Sequence, residues 1–167
     1  MTRGAGSLSA KLRTLEALRG ETEGLKAQGK RVIFANGCFD ILHVGHVRYL
    51  REARALGDVL VVAVNSDASA RRLKGEGRPY TPEAERLEIL ASLEPVDYLL
   101  VFDEPDVSRL LLALKPHVHA KGTDYTAETV PERETVRGYG GEVAICGDPK
   151  DHSATAIGSR LGGRAPR

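Results

Sequence analysis

The chain has 167 residues, with 24 Lys and Arg against 23 Asp and Glu and a formal net charge of +1. That length fits one domain with a sizeable core, and the balanced charge removes the global field that gathers nucleic acid or an anionic membrane. The two cysteines, Cys38 and Cys146, are too few for a disulfide framework and fit a reduced, cytoplasmic setting. No apolar run reaches the roughly 18 residues of a membrane span, and the N-terminus lacks the apolar segment of a signal peptide.

Leu8, Leu12, Leu15 and Leu18 recur at helical spacing. They predict one amphipathic helix within an N-terminal extension, residues 1–30, laid over one face of the body. Gly20 and Gly24 weaken its continuation to Lys26. In the main domain, residues 31–161, strands and helices alternate. Arg31–Asn36 reads as a buried strand and Val44–Leu56 as a helix closed by Gly57. Val59–Asn65 (VLVVAVN) is nearly all apolar, as expected of a strand covered on both faces. A basic loop runs from Arg71 to Tyr80, and Thr81-Pro82 opens another helix with a hydroxyl cap and a first-position proline. Strand Val96–Phe102, helix Asp106–Lys115 stopped by Pro116, strand His117–Lys121, helix Pro131–Gly138 and strand Glu142–Cys146 follow. A last helix begins at Ser153, and residues 162–167 form a disordered tail.

This alternation implies an α/β fold: a doubly wound, parallel, five-stranded, Rossmann-like sheet. Ligands of such sheets bind beyond the carboxyl ends of the strands. The first strand end carries Asn36-Gly37-Cys38-Phe39-Asp40-Ile41-Leu42-His43-Val44-Gly45-His46. A helix N-terminus offers unpaired N–H groups to phosphate, histidines add donors of adjustable charge, and Gly45 lets a ligand approach the backbone. The stretch reads as a holder for a phosphate chain, with Asp40 ordering the turn through backbone N–H groups. A metal site would need further ligands, and only His152, His117 and His119 remain. The glycine-rich dinucleotide fingerprint and the P-loop are both absent. Asn65 and Asp67 after the second strand suit sugar hydroxyls or an ordinary turn. Ser153 and Thr155 open a second phosphate-ready helix terminus.

The Asn36–His46 stretch resembles the HxGH signature of the nucleotidyltransferase superfamily that includes cytidylyltransferases and class I aminoacyl-tRNA synthetases. The chain more closely resembles the adenylyltransferases acting on D-glycero-beta-D-manno-heptose 1-phosphate. That match runs through Ala53–Asp58, Val64–Asp67, Arg72-Leu73-Lys74-Gly75, Arg78-Pro79, Glu85-Arg86, Lys121-Gly122-Thr123-Asp124-Tyr125 and Tyr139–Val143. It implies transfer of AMP from ATP to a sugar 1-phosphate, giving ADP-heptose and pyrophosphate, with Mg2+ on the triphosphate. It implies catalytic roles for His43, His46, Lys74 and Arg86. Nucleotide contacts would come from Asn36, Gly37, Cys38, Phe39, Asp40, Gly45, Lys121, Gly122, Asp124, Tyr125, Ser153 and Thr155. Acceptor contacts would come from Asn65, Asp67, Arg72 and Arg78, with no metal ligand from protein side chains. A homodimer is implied too. Bifunctional members carry a sugar kinase ahead of this domain, for which this chain has no room, so a separate kinase is expected.

Two departures bear on the acceptor. The usual Gly-Arg-Ser-Thr-Thr reads Asp151-His152-Ser153-Ala154-Thr155, and His117 and His119 replace an acidic and an aliphatic residue. A phosphate monoester needs no general base near pH 7, so the lack of a Ser or Cys nucleophile is consistent with the chemistry. The rival readings are cytidylyl transfer to glycerol 3-phosphate or a similar polyol phosphate, and a non-catalytic nucleotide-binding module.

Overall fold

The structure is a computed structural model that describes residues 7–149 and 152–162. Its elements are α1 (Leu8–Lys11), α2 (Leu15–Ala27), β1 (Val32–Gly37), α3 (Val44–Ala55), β2 (Val59–Asn65), α4 (Asp67–Lys74), α5 (Glu83–Ala91), β3 (Tyr98–Phe102), α6 (Ser108–Leu114), β4 (Val118–Gly122), α7 (Arg133–Gly138), β5 (Glu142–Cys146) and α8 (Ala154–Gly162). The strands form one sheet in the order β3-β2-β1-β4-β5, and every pairing is parallel. The expected doubly wound fold is present.

Strand alternation divides the core in two. Ile33 and Ala35 of β1 join Leu50 and Ala53 of α3 and Leu87 and Leu90 of α5 on one face. Val32 and Phe34 join Leu18 of α2, Leu110, Leu111 and Leu114 of α6 and Val136 of α7 on the other. Winding reverses between β1 and β4, which are neighbours in the sheet but not in sequence. Chain leaving β1 enters α3 on one face, and chain leaving β4 heads for α7 on the other. The divergence opens a crevice above the carboxyl ends of these two strands.

The N-terminal leucines do not form the single helix that their spacing predicts. Leu12 leaves α1 in an extended conformation, bridges Leu99 in parallel fashion at the open edge of β3, and Arg13 N–H donates to Leu99 O at 2.9 Å. Thr14 then caps α2 by accepting from Ala17 N–H at 3.2 Å. Leu8 and Leu12 pack on one face of the sheet and Leu15 and Leu18 on the other, so the segment folds around the sheet edge. Helix α2 runs through both Gly20 and Gly24 to Ala27. Two further expectations are corrected. Arg71, Arg72 and Lys74 belong to the last turn of α4 rather than to a loop, where cations suit the negative end of the helix dipole. Pro82 is the N-cap of α5, with no side-chain cap from Thr81. Gly162 closes α8, and residues 163–167 of the expected tail lie outside the described residues.

Candidate active site

The turn after β1 begins with backbone strain. Phe39 and Ile41 hold φ of 51° and 46°, a left-handed conformation unfavourable for a β-branched residue. Asp40 between them is buried. Its carboxylate accepts from Tyr80 N–H and Thr81 N–H, both at 2.9 Å, and from Arg78 Nε at 3.0 Å. Burial alone would raise its pKa, but these three donors outweigh burial and hold it below the usual carboxylate range. Asp40 thus ties the turn to the distant 78–81 segment instead of ordering its own N–H groups.

The two histidines three residues apart cap the helix that follows. His43 is the N-cap of α3, and its Nδ1 accepts from Gly45 N–H at 3.1 Å. His46 reaches back, and its Nδ1 accepts from His43 N–H at 3.2 Å. This is the reciprocal logic of a capping box with imidazoles in place of hydroxyl and carboxylate. The rings stack with centroids 3.8 Å apart at 28°. Burial, then the His152 charge, lowers the pKa of His43. Burial, then the charge of His43, lowers that of His46 to about 4. Both imidazoles are therefore neutral near pH 7. With each Nδ1 accepting a backbone proton, each proton sits on Nε2, which is a hydrogen-bond donor. Gly45 is required by the first ring, because a Cβ there would lie 2.9 Å from His43 Nδ1.

A cavity of about 560 Å³ opens over the crevice. Every site residue expected from the sequence lines it except Arg86, Asp67 and Arg72. His43, His46, Lys74 and Arg78 converge with His152, Ser153 and Thr155 of the α8 approach, and Asp151 lies outside the described residues. Ser153 Oγ caps α8 by accepting from Ala156 N–H at 3.0 Å, which leaves its own proton available. Asn65 borders the cavity but is committed: its amide donates to Ser69 Oγ at 2.9 Å, and its oxygen accepts from the Cys38 thiol at 3.5 Å. His119 lies beneath the cavity wall, fully buried, with Nε2 2.9 Å from Asn36 Oδ1. Burial, reinforced by Lys121, lowers its pKa to about 3. His117 instead accepts Val32 N–H at Nδ1, 2.9 Å. Glu132, Tyr49, Asp106 and Asp148 also line the cavity, and sequence reasoning missed all four. Tyr49 had a signal in its inward position on α3, whereas Glu132 had none.

The three exceptions are corrections. The Arg86 guanidinium is fully buried. It donates to Thr81 O (3.0 Å), Cys38 O (2.6 Å), Asn65 O (2.8 Å) and the Asp67 carboxylate (2.8 Å). It fastens the ends of β1 and β2 to the start of α5, so four of its five N–H donors serve the framework. Asp67 is held by Arg86 and by Glu83 N–H. Arg72 points away to the exposed Asp103.

A family model described as cytidylyltransferase-like matches residues 34–155. The chain belongs to the cytidylyltransferase-like family. It is 52% identical over 148 residues to the bifunctional protein HldE of Geobacter metallireducens, covering 89% of this chain and 30% of that protein. The HldE of Pelobacter propionicus is 51% identical over 152 residues, 91% of this chain and 31% of that protein. The chain thus spans about 30% of the length of these relatives. Among solved structures, a lipopolysaccharide core biosynthesis protein of Thermoplasma volcanium is 34% identical with a TM-score of 0.59, covering 70% of this chain and 94% of that one. A pantoate-beta-alanine ligase of Francisella tularensis, 17% identical with a TM-score of 0.66 over 93% of this chain and 73% of its own, shares the fold. The nucleotidyltransferase resemblance carried by the motifs holds at the level of family.

Arg86→Met is expected to lower the free energy of unfolding by about 3–5 kcal/mol, most of it from stranding three buried carbonyls. Denaturant titration checks this. An unchanged midpoint with weakened ATP binding would instead return Arg86 to the triphosphate.

Proposed function

We propose that the chain is a sugar-phosphate adenylyltransferase. It moves AMP from ATP to D-glycero-beta-D-manno-heptose 1-phosphate or a related sugar 1-phosphate and releases pyrophosphate. The observation that carries this reading is the pair of neutral imidazoles bordering the cavity, each with Nδ1 occupied by a backbone N–H. Similarity to the HldE proteins and to the lipopolysaccharide core biosynthesis protein supports the acceptor class. The motif set from Arg72 to Tyr125 supports adenylyl rather than cytidylyl transfer.

An oxygen of the sugar phosphate attacks the α-phosphorus of ATP. The new P–O bond forms as the bond to the β-phosphate breaks, and pyrophosphate leaves in line. The acceptor monoester has a second pKa near 6, so it arrives ionised and no protein base is needed. His43 and His46 donate from Nε2 to the oxygens on which charge develops, and Lys74 and the free amino groups of Arg78 neutralise it. Donors held by backbone bonds need no reorientation during the reaction. Among the described residues no group of three or more His, Cys, Asp or Glu side chains is arranged to hold a metal. Both oxygens of Asp40 are already engaged. Mg2+ would arrive with the nucleoside triphosphate and would offset its charge. A kinase acting on the anomeric hydroxyl must supply the acceptor.

Pyrophosphate release with ATP and heptose 1-phosphate is the test. His46→Ala is expected to slow it roughly 100- to 1000-fold while circular dichroism remains native, because a lost helix cap costs only about 1 kcal/mol. Near-normal turnover in this variant contradicts the assignment, and release with CTP and glycerol 3-phosphate alone would replace it.

The lowered histidine pKa values also set a pH dependence. A donor that must be neutral is fully present above its pKa, so kcat/KM is expected to stay level from pH 7 to pH 9. A tenfold fall per unit over that range would mean that imidazolium, not imidazole, is the working form.

A further inference from the structure

Lys121 and Glu132 are an anomaly in the cavity wall. Both are buried, at 8% and 5% exposed. Both line the cavity and they carry opposite charges, yet they make no ion pair with each other. The Lys121 ammonium rests 4.5 Å above the centroid of the Tyr125 ring and donates to no acceptor among the described residues. Among the described residues the Glu132 carboxylate accepts no hydrogen bond, and its Oε2 is buried without a partner. Charged groups out of water are ordinarily paired and hydrogen-bonded. Here two are left without a hydrogen-bond partner among the described residues within one cavity, although the same protein gives Arg86 four acceptors and Asp40 three donors.

The geometry points to Lys121 and Glu132 as a two-point clamp for the acceptor, with the phosphate received by Lys121 and a sugar hydroxyl by Glu132. This inference rests on the reading of the cavity as the seat of a sugar phosphate and adds which residues hold that substrate. A hydroxylated phosphate monoester is the chemical class that answers both groups, since its oxygens accept from an ammonium and its hydroxyls donate to a carboxylate. Position on the fold assigns the clamp to the acceptor, which moves Lys121 and Asn36 from the nucleotide contacts that the resemblance implies to the acceptor side. His43, His46 and Lys74 stand on α3 and α4, which follow β1 and β2. Lys121 and Glu132 stand at the end of β4 and the start of α7, across the switch in winding. In-line displacement needs the nucleophile opposite the leaving pyrophosphate, so the second substrate belongs on this rim. Asn36 strengthens it: His119 Nε2 holds the amide oxygen at 2.9 Å, and the amide nitrogen has no partner among the described residues.

Isothermal titration of the whole chain decides it, with heptose 1-phosphate, mannose 1-phosphate, inorganic phosphate and ATP as probes. The wild type is expected to bind a sugar 1-phosphate more tightly than inorganic phosphate. Glu132→Gln is expected to weaken the sugar phosphate roughly 10- to 100-fold, leaving inorganic phosphate and ATP unchanged. Its ligand-free melting temperature should be equal or higher, because no hydrogen bond is lost and the amide escapes the desolvation cost of a buried carboxylate, which offsets the lost attraction to Lys121. Lys121→Met should weaken sugar phosphate and inorganic phosphate alike. The inference is overturned by an unchanged sugar-phosphate affinity in Glu132→Gln, by an equal loss for ATP, by a lowered melting temperature in that variant, or by a wild type that binds no sugar phosphate. Sugar-phosphate binding that depends on Glu132 without pyrophosphate release would defeat the adenylyltransferase reading and leave the clamp standing. Pyrophosphate release that is indifferent to Glu132 would do the reverse.

Discussion

Two backbone N–H groups at the start of α3, those of His43 and Gly45, donate to the Nδ1 atoms of His46 and His43. Those bonds satisfy donors that every helix start leaves unpaired, and they also settle the tautomer of both rings. A capping serine would serve the helix equally well and keep its own proton, but its donor and acceptor would be the same atom. The imidazole separates the two, because its two nitrogens lie on opposite edges of one ring. Burial and the close stacking of the rings then keep the pair uncharged. In the proposed reaction these preset dipoles meet the phosphates, with charge added by Lys74 and by Arg78, which Asp40 holds in place.

Around this pair the protein uses its buried charges in two ways. Arg86 and Asp40 are held by several protein partners each, and they lock the strand ends and the strained turn at Phe39 and Ile41 into one arrangement. Among the described residues, the Lys121 ammonium has only the Tyr125 ring, and the Glu132 carboxylate and the Asn36 amide nitrogen have no hydrogen-bond partner. Groups with several partners give rigidity, and the unpartnered ones are where the proposed acceptor would complete the structure. That contrast separates residues of similar type: of the arginines the sequence brings near the site, Arg86 is internal framework, Arg72 faces solvent, and Arg78 does part of each task.

Much of the fold is legible in the sequence because each strand is a short apolar run and each is followed by a helical pattern. Val59–Asn65 could be read to the residue, since burial on both faces leaves no polar position within the strand. The N-terminal leucines mislead because steps of three and four satisfy a helix, while a chain passing around a sheet edge happens to place the same residues on two opposite faces. Only the contact of Leu12 with Leu99, 87 positions apart, decides between them. The HxGH turn is legible because its function and its local capping use the same residues. Arg86 is not, since its partners arrive from the ends of two other strands and nothing within Glu85-Arg86 signals burial. Glu132 is silent for the same reason: its meaning comes from Lys121, which reaches it only through the winding of the sheet.

The tautomers of His43 and His46 are the point on which the mechanism turns, and they are directly observable. Long-range ¹H–¹⁵N correlation spectra of the imidazole side chains, recorded near pH 7 on labelled protein, distinguish imidazolium from each neutral form. Both rings are expected to appear neutral, with the proton on Nε2 and Nδ1 bare. A ring found as imidazolium, or with its proton on Nδ1, would contradict the account, because neither state can accept the backbone N–H that orients it.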